Sequence, residues 1–220
     1  MHNGKYVFSQ LLDFIDKDVF LRISNKYDGN KYVKSLTCWN QLAVLMFGPL
    51  SNRESLRDVV LATQVHASKA FHLGFGKHVC KSILADANNK RDYHIFEEFA
   101  YRVVDEARAC RATEIFKLKG RVYAFDSTTI ELCLNAFQWA VYRKNQKKGG
   151  IKVHTLYDIE TSIPTFFHIT KACVNDVNAM DVIPYEENSF YIFDRGYNDF
   201  KRLHAIESVG ALRSKRQEKQ

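Results

Sequence analysis

The sequence predicts an α/β protein in two parts: an all-helical N-terminal domain over residues 1–118, then an α/β core over residues 119–220. Three observations carry this. Up to about Leu118, apolar residues recur three and four apart with little strand-like alternation. From Gly120 onward, short β-type runs alternate with helical segments. The 220 residues are 46% hydrophobic, enough to build a core in each part, and this excludes a disordered chain.

In the first part, residues 37–50 (TCWNQLAVLMFGPL) are apolar nearly all round, which predicts a central buried helix stopped by Pro49. Ser51 with Glu54 has the spacing of a capping box, opening a helix with Leu56, Val59, Val60 and Thr63 on its inner face. Gly74 and Gly76 break that run. Asp92 is the expected N-cap of a long amphipathic helix with Ile95, Phe96, Phe99, Val103 and Ala107 inward.

The second part opens on a β-type run, residues 121–126, ending on Asp126. Two further strands are expected at residues 152–157 and 164–170, with a turn over 158–162 between them. Residues 176–183 read as a short helix. Residues 190–194 form another apolar run ending on an aspartate, and residues 199–209 form a helix stopped by Gly210.

Composition narrows the function. The formal charge is +7, a moderate excess that suits a polyanionic partner. The five cysteines show no CxxC pair, which argues against a disulfide framework or zinc cluster and for a reducing cytoplasm. The N-terminus lacks the apolar stretch of a signal peptide, and the longest apolar run, about Leu42 to Leu50, is too short for a membrane span.

Two features carry chemistry. Asp126 and Asp194 each follow an apolar strand, where ligands of open α/β sheets gather. Two carboxylates on neighbouring strands repel unless a divalent ion neutralises them, and oxygen-only ligation suits Mg²⁺ or Mn²⁺. The plainer alternative is that each caps the loop after its strand. The second feature is residues 139–152, which hold Arg143, Lys144, Lys147, Lys148 and Lys152 and no acid. Read as a glycine-bearing loop beside the carboxylates, it is suited to a phosphodiester backbone, with Trp139 and Tyr142 as stacking surfaces. The alternative is an ordinary solvated loop.

At these residues the chain resembles a DDE transposase of the insertion-sequence-4 type, a mobile-element enzyme with an RNase H-like catalytic core. The matching stretches are YAFDSTTI around Asp126, KGGIKVHTLYD from Lys148, VNDVNAMDVIPY from Val174 and FDRGYNDF around Asp194. GKYVFSQLLDF, YDGNKYVKSLTCWNQL, SNRESLRD and NKRDYHIFEEFA resemble the helical domain of one branch of that family.

The resemblance implies that Asp126 and Asp194 are the first two catalytic acids, holding two divalent metals about 3.5–4 Å apart for in-line displacement at phosphorus. It implies double-stranded DNA as partner, both element ends and target, and a homodimer. Lys152 and His154, two apart on one strand, would share a face. If that face is the Asp126 side, they contact the scissile phosphate.

The family also has a third acid, a glutamate in a Tyr–Arg–Glu–Lys signature downstream. After Asp194 this sequence has only Glu207 and Glu218, and neither fits. The expectation is therefore an incomplete RNase H-like core, lacking its fifth strand and impaired in strand cleavage. The alternative is a non-catalytic DNA-binding transposase remnant, in which residues 81–91 of the helical domain could form a helix-turn-helix reading element.

Overall fold

The structure is a computed structural model and describes residues 6–76, 79–110, 120–132, 141–143 and 148–215. It divides into two compact units, Met1–Val103 and Val104–Gln220.

The first unit is helical: α1 (Val7–Asp13), α2 (Lys17–Lys26), α3 (Cys38–Leu50), α4 (Leu56–Val65), α5 (Lys81–Lys90) and the start of α6 (His94–Cys110). The buried central helix is α3. A capping box starts it: Thr37 Oγ1 accepts from the Asn40 N–H, and Asn40 Oδ1 accepts from the Thr37 N–H. Pro49 lies within its last turn rather than beyond it.

The box expected at Ser51 and Glu54 does not form. The Ser51 hydroxyl donates to the Phe47 carbonyl at 2.6 Å, and Asn52 turns the chain at φ 54°. The cap of α4 is Ser55, four residues later, with the Asp58 N–H bonded to its hydroxyl.

Phe20 is fully buried at the centre of the core, edge-on to Phe99 (ring centroids 4.9 Å) and Trp39 (5.8 Å). Buried Gln41 is matched by Arg91, whose guanidinium also donates to the Leu36 and Thr37 carbonyls.

The second unit contains β1 (Val122–Leu132), β2 (Val141–Arg143), β3 (Lys148–Asp158), β4 (Ile163–Lys171), β5 (Phe190–Phe193), α7 (Phe200–Ser208) and β6 (Leu212–Lys215). The sheet runs β2-β3-β1-β5-β6, with β4 also paired to β3. The β1·β3 and β3·β4 ladders are antiparallel, while β1·β5 and β5·β6 are parallel. Antiparallel strands on one side and a parallel pair on the other make an α/β RNase H-like core. The fifth core strand, expected to be missing, is present as β6, short and parallel to β5.

Two strands outrun their expected bounds. β1 does not end on Asp126; it continues through Ser-Thr-Thr-Ile-Glu-Leu, a β-branched stretch paired with β3. The Gly149–Gly150 pair, expected in a loop, lies inside β3 opposite Leu132 and Glu131. A Cβ on Gly150 would stand 3.2 Å from both the Ala172 Cβ and the Ile130 carbonyl oxygen, so the glycine serves close strand approach rather than a turn.

One face of the sheet buries Tyr123, Phe125, Leu156, Tyr191 and Phe193 against Leu203 and Ile206 of α7 and against Met180 and Ile183. Arg202 of α7 binds Asp181 at both carboxylate oxygens (2.7 Å each) and Asp199 Oδ2 (3.0 Å). That fork ties α7 to the 3-10 segment Asp176–Val182. Asp158 makes the expected turn, accepting from the Glu160 and Thr161 N–H groups, with Arg108 as its buried counter-charge at 3.9 Å. Among the described residues no helix is long and apolar enough to cross a membrane.

Candidate active site

The parallel pairing of β1 with β5 sets the site. Phe125 stands opposite Phe193, and Asp126 and Asp194 are the residues that follow this last paired rung on the two strands. Both are exposed. Asp126 Oδ1 accepts from the Ser127 N–H at 2.7 Å, and Asp194 Oδ1 accepts from the Arg195 N–H at 2.6 Å. Each carboxylate is thus oriented by the backbone N–H that follows it. Asp194 also caps the 3-10 turn Arg195–Tyr197.

Two adjacent oxygen donors of like charge, open to solvent, fit a hard divalent cation that completes its shell with water. Among the described residues, no group of three or more His, Cys, Asp or Glu side chains is placed to hold a metal.

One residue on from Asp126, on the other face of β1, lies a second polar cluster that sequence reasoning missed. The Ser127 hydroxyl donates to Asp176 Oδ1 at 3.0 Å. The Lys152 ammonium stands 3.0 Å from the same oxygen and also donates to the Val174 carbonyl at 3.0 Å. Tyr197 is buried, with its hydroxyl towards that of Ser127. Burial pushes that phenol up to about 12; the Ser127 hydroxyl, already bonded to Asp176, lowers it, and Asp176, Asp126 and Asp194 each raise it.

The expected DNA contacts separate. Lys144 and Lys147 lie outside the described residues. Arg143 and Lys148 pair across β2 and β3 at the edge of the sheet. Lys152 and His154 do share a face, but not that of Asp126. Their cross-strand partners are Thr129 and Ser127, which alternate with Asp126 along β1. His154 is fully buried, with Nε2 on Thr170 Oγ1 at 2.9 Å and its ring stacked with Phe125 and His168. The structure places its ring in the interior, 0% exposed.

Burial, chiefly, lowers the His154 pKa; Asp176 opposes the shift, while His168 and Lys152 add to it. A histidine favoured as neutral in the fold takes up protons more readily when unfolded, so stability falls as pH drops below its ordinary value near 6.5. Urea midpoints of the wild type are expected to decline more between pH 7.5 and 5.5 than those of His154→Gln. Equal declines would remove His154 as a contributor.

Residues 117–220 match the family model described as "Transposase DDE domain". Residues 3–76 match a second model, described as a domain of unknown function (DUF4372). A relative from Sinorhizobium fredii, named "Putative transposase y4zB", is 35% identical over 133 residues. That match covers 59% of this chain and 35% of the relative, so it spans about a third of the relative's length.

The stretch matched to the DDE domain model contains both aspartates and the whole Asp176 cluster. Asp176 carried no distinctive signal: as one of two acids flanking a short helical stretch, it reads as a cap. The β1·β3 register, which brings Ser127 and Lys152 onto one face, is what singles it out.

Proposed function

We propose that the chain carries a transposase core that binds a divalent cation, Mg²⁺ or Mn²⁺, at Asp126 and Asp194 and acts on phosphodiester bonds of double-stranded DNA at mobile-element ends. The observation that supports the reading is that two exposed aspartates each follow the last rung of the parallel β1·β5 pair, inside the stretch that matches the transposase domain.

Bound there, the cation would polarise a phosphodiester oxygen and activate water or a DNA 3′-hydroxyl. The chain's own residues supply orientation. The Ser127 and Arg195 N–H groups fix the two carboxylates, and Arg143, Lys144, Lys147 and Lys148 are the candidate backbone contacts. Lys152 lies on the neighbouring strand but is engaged by Asp176. A homodimer bridging two DNA ends belongs to the same reading.

The test is nicking of linear DNA carrying the ends of the element that encodes the chain, in Mg²⁺ and in EDTA. Mg²⁺-dependent nicking lost in Asp126→Ala supports the reading. End-DNA binding without nicking at any metal concentration favours the non-catalytic remnant. Neither binding nor nicking sinks both.

A further inference from the structure

We propose that Asp176 is a positioning residue for Asp126, acting through Ser127 and held in place by Lys152. The proposal rests on the reading of Asp126 and Asp194 as the cation-holding pair, and goes beyond it in assigning a third carboxylate that does not itself touch the cation.

Ser127 is fastened at two points. Its backbone N–H donates to Asp126 Oδ1 at 2.7 Å, and its hydroxyl donates to Asp176 Oδ1 at 3.0 Å. The first bond orients the Asp126 carboxylate. The second, charge-assisted, fixes the residue that makes the first. Release of the hydroxyl loosens Ser127 and with it the carboxylate that depends on its N–H.

Asp176 is itself anchored from three directions. It opens the 3-10 segment Asp176–Val182, which Arg202 clamps to α7 through Asp181. Lys152 pairs with its Oδ1 at 3.0 Å, with only 13% of the lysine side chain exposed. The buried His154 Nδ1, without a hydrogen-bond partner among the described residues, lies 3.8 Å away. A cation-binding role for Asp176 is disfavoured by this crowding, since both Ser127 and Lys152 converge on one oxygen.

A carboxylate that orients a ligand without touching the metal is the usual outer layer of a metal site, and its loss typically weakens metal affinity about 10–100-fold.

The experiment is calorimetric titration of the full 220-residue chain with Mn²⁺ alone, without DNA, in the wild type, Asp176→Ala, Asp176→Asn, Ser127→Ala and the Ser127→Ala/Asp176→Ala double variant. Asp126→Ala is the reference, and a thermal melt accompanies each. Asp176→Ala and Ser127→Ala are each expected to weaken Mn²⁺ binding about tenfold. The double variant should be no weaker than either single, because the two residues act in series. Asp176→Asn keeps an acceptor oxygen for Ser127 and should recover most of the affinity.

Should Asp176→Ala fail to fold, Ser127→Ala, which removes a single hydroxyl, carries the test. Wild-type affinity in Ser127→Ala and Asp176→Ala, with loss in Asp126→Ala, overturns the positioning role and leaves the cation reading intact. Additive losses in the double variant also overturn it. Unchanged affinity in Asp126→Ala sinks the cation reading itself.

Discussion

Replacing Asp126 or Asp194 with alanine is expected to abolish measurable Mn²⁺ binding while leaving the metal-free chain no less stable, and somewhat more so. The two halves of that result come from one fact. Two exposed aspartates follow the last rung of a parallel pair, past Phe125 and Phe193. Like charges placed opposite each other across strands repel. On the cation-holding reading the metal-free pair costs stability, and removing either member relieves it.

With a cation, affinity depends on how many anionic oxygens converge. A site that loses one of its two carboxylates loses more than the roughly 10–100-fold seen for residues that only orient a ligand. The competing account is that each aspartate merely fastens the backbone after its strand, through the Ser127 and Arg195 N–H groups. It predicts the opposite sign: a lower melting temperature in each variant and no Mn²⁺-induced rise in the wild type. Melting curves with and without Mn²⁺ separate the two accounts in one experiment, since binding to the native state alone must raise stability.

How much of this was legible in the sequence follows from the range of each signal. The helical first part and the order of strands were readable because they rest on local periodicity. Thr37 through Leu50 is the clearest case, apolar nearly all round and, as α3, buried at Cys38, Trp39, Ala43 and Val44. Helix starts were less readable. Ser51 and Ser55 both precede an acid three residues on, and only the use of the Ser51 hydroxyl by Phe47 decides for Ser55.

The two aspartates are singled out by their strand ends, although β1 runs six residues past Asp126. What escaped was everything set by pairing register. The Gly149–Gly150 pair looks like a turn until its partners in β1 are known, and the faces of Lys152 and His154 relative to Asp126 follow from that same ladder. Asp176 became visible only when Lys152 and Ser127 met it.

The same dependence on register makes Gly120→Ala the most damaging single substitution expected in the second unit. Gly120 has φ +144°, a conformation L side chains rarely adopt, and a Cβ there would fall 1.7 Å from the Asn188 carbonyl oxygen. No rotamer relieves a clash between a Cβ and a backbone oxygen, so one of the two segments must move. Those segments are the entrances to β1 and β5. The Phe190 N–H donates to the Arg121 carbonyl at 2.7 Å, and Val122 pairs with Phe190 one step later.

Backbone strain and displacement together are expected to cost about 3 kcal/mol or more. Because the displaced rungs are those that bring Phe125 opposite Phe193, the Asp126–Asp194 spacing should move with them. Mn²⁺ affinity is therefore expected to fall in parallel with stability, although Gly120 lies six residues before Asp126 and touches neither carboxylate. Gly196 provides the control. It sits in the Asp-Arg-Gly-Tyr segment beside Asp194, yet a Cβ there meets nothing within 4 Å. Gly196→Ala should stay within about 0.5 kcal/mol of the wild type. Urea unfolding followed by circular dichroism measures both variants. A Gly120→Ala chain as stable as Gly196→Ala would show that the start of β1 does not set the register on which the candidate site depends.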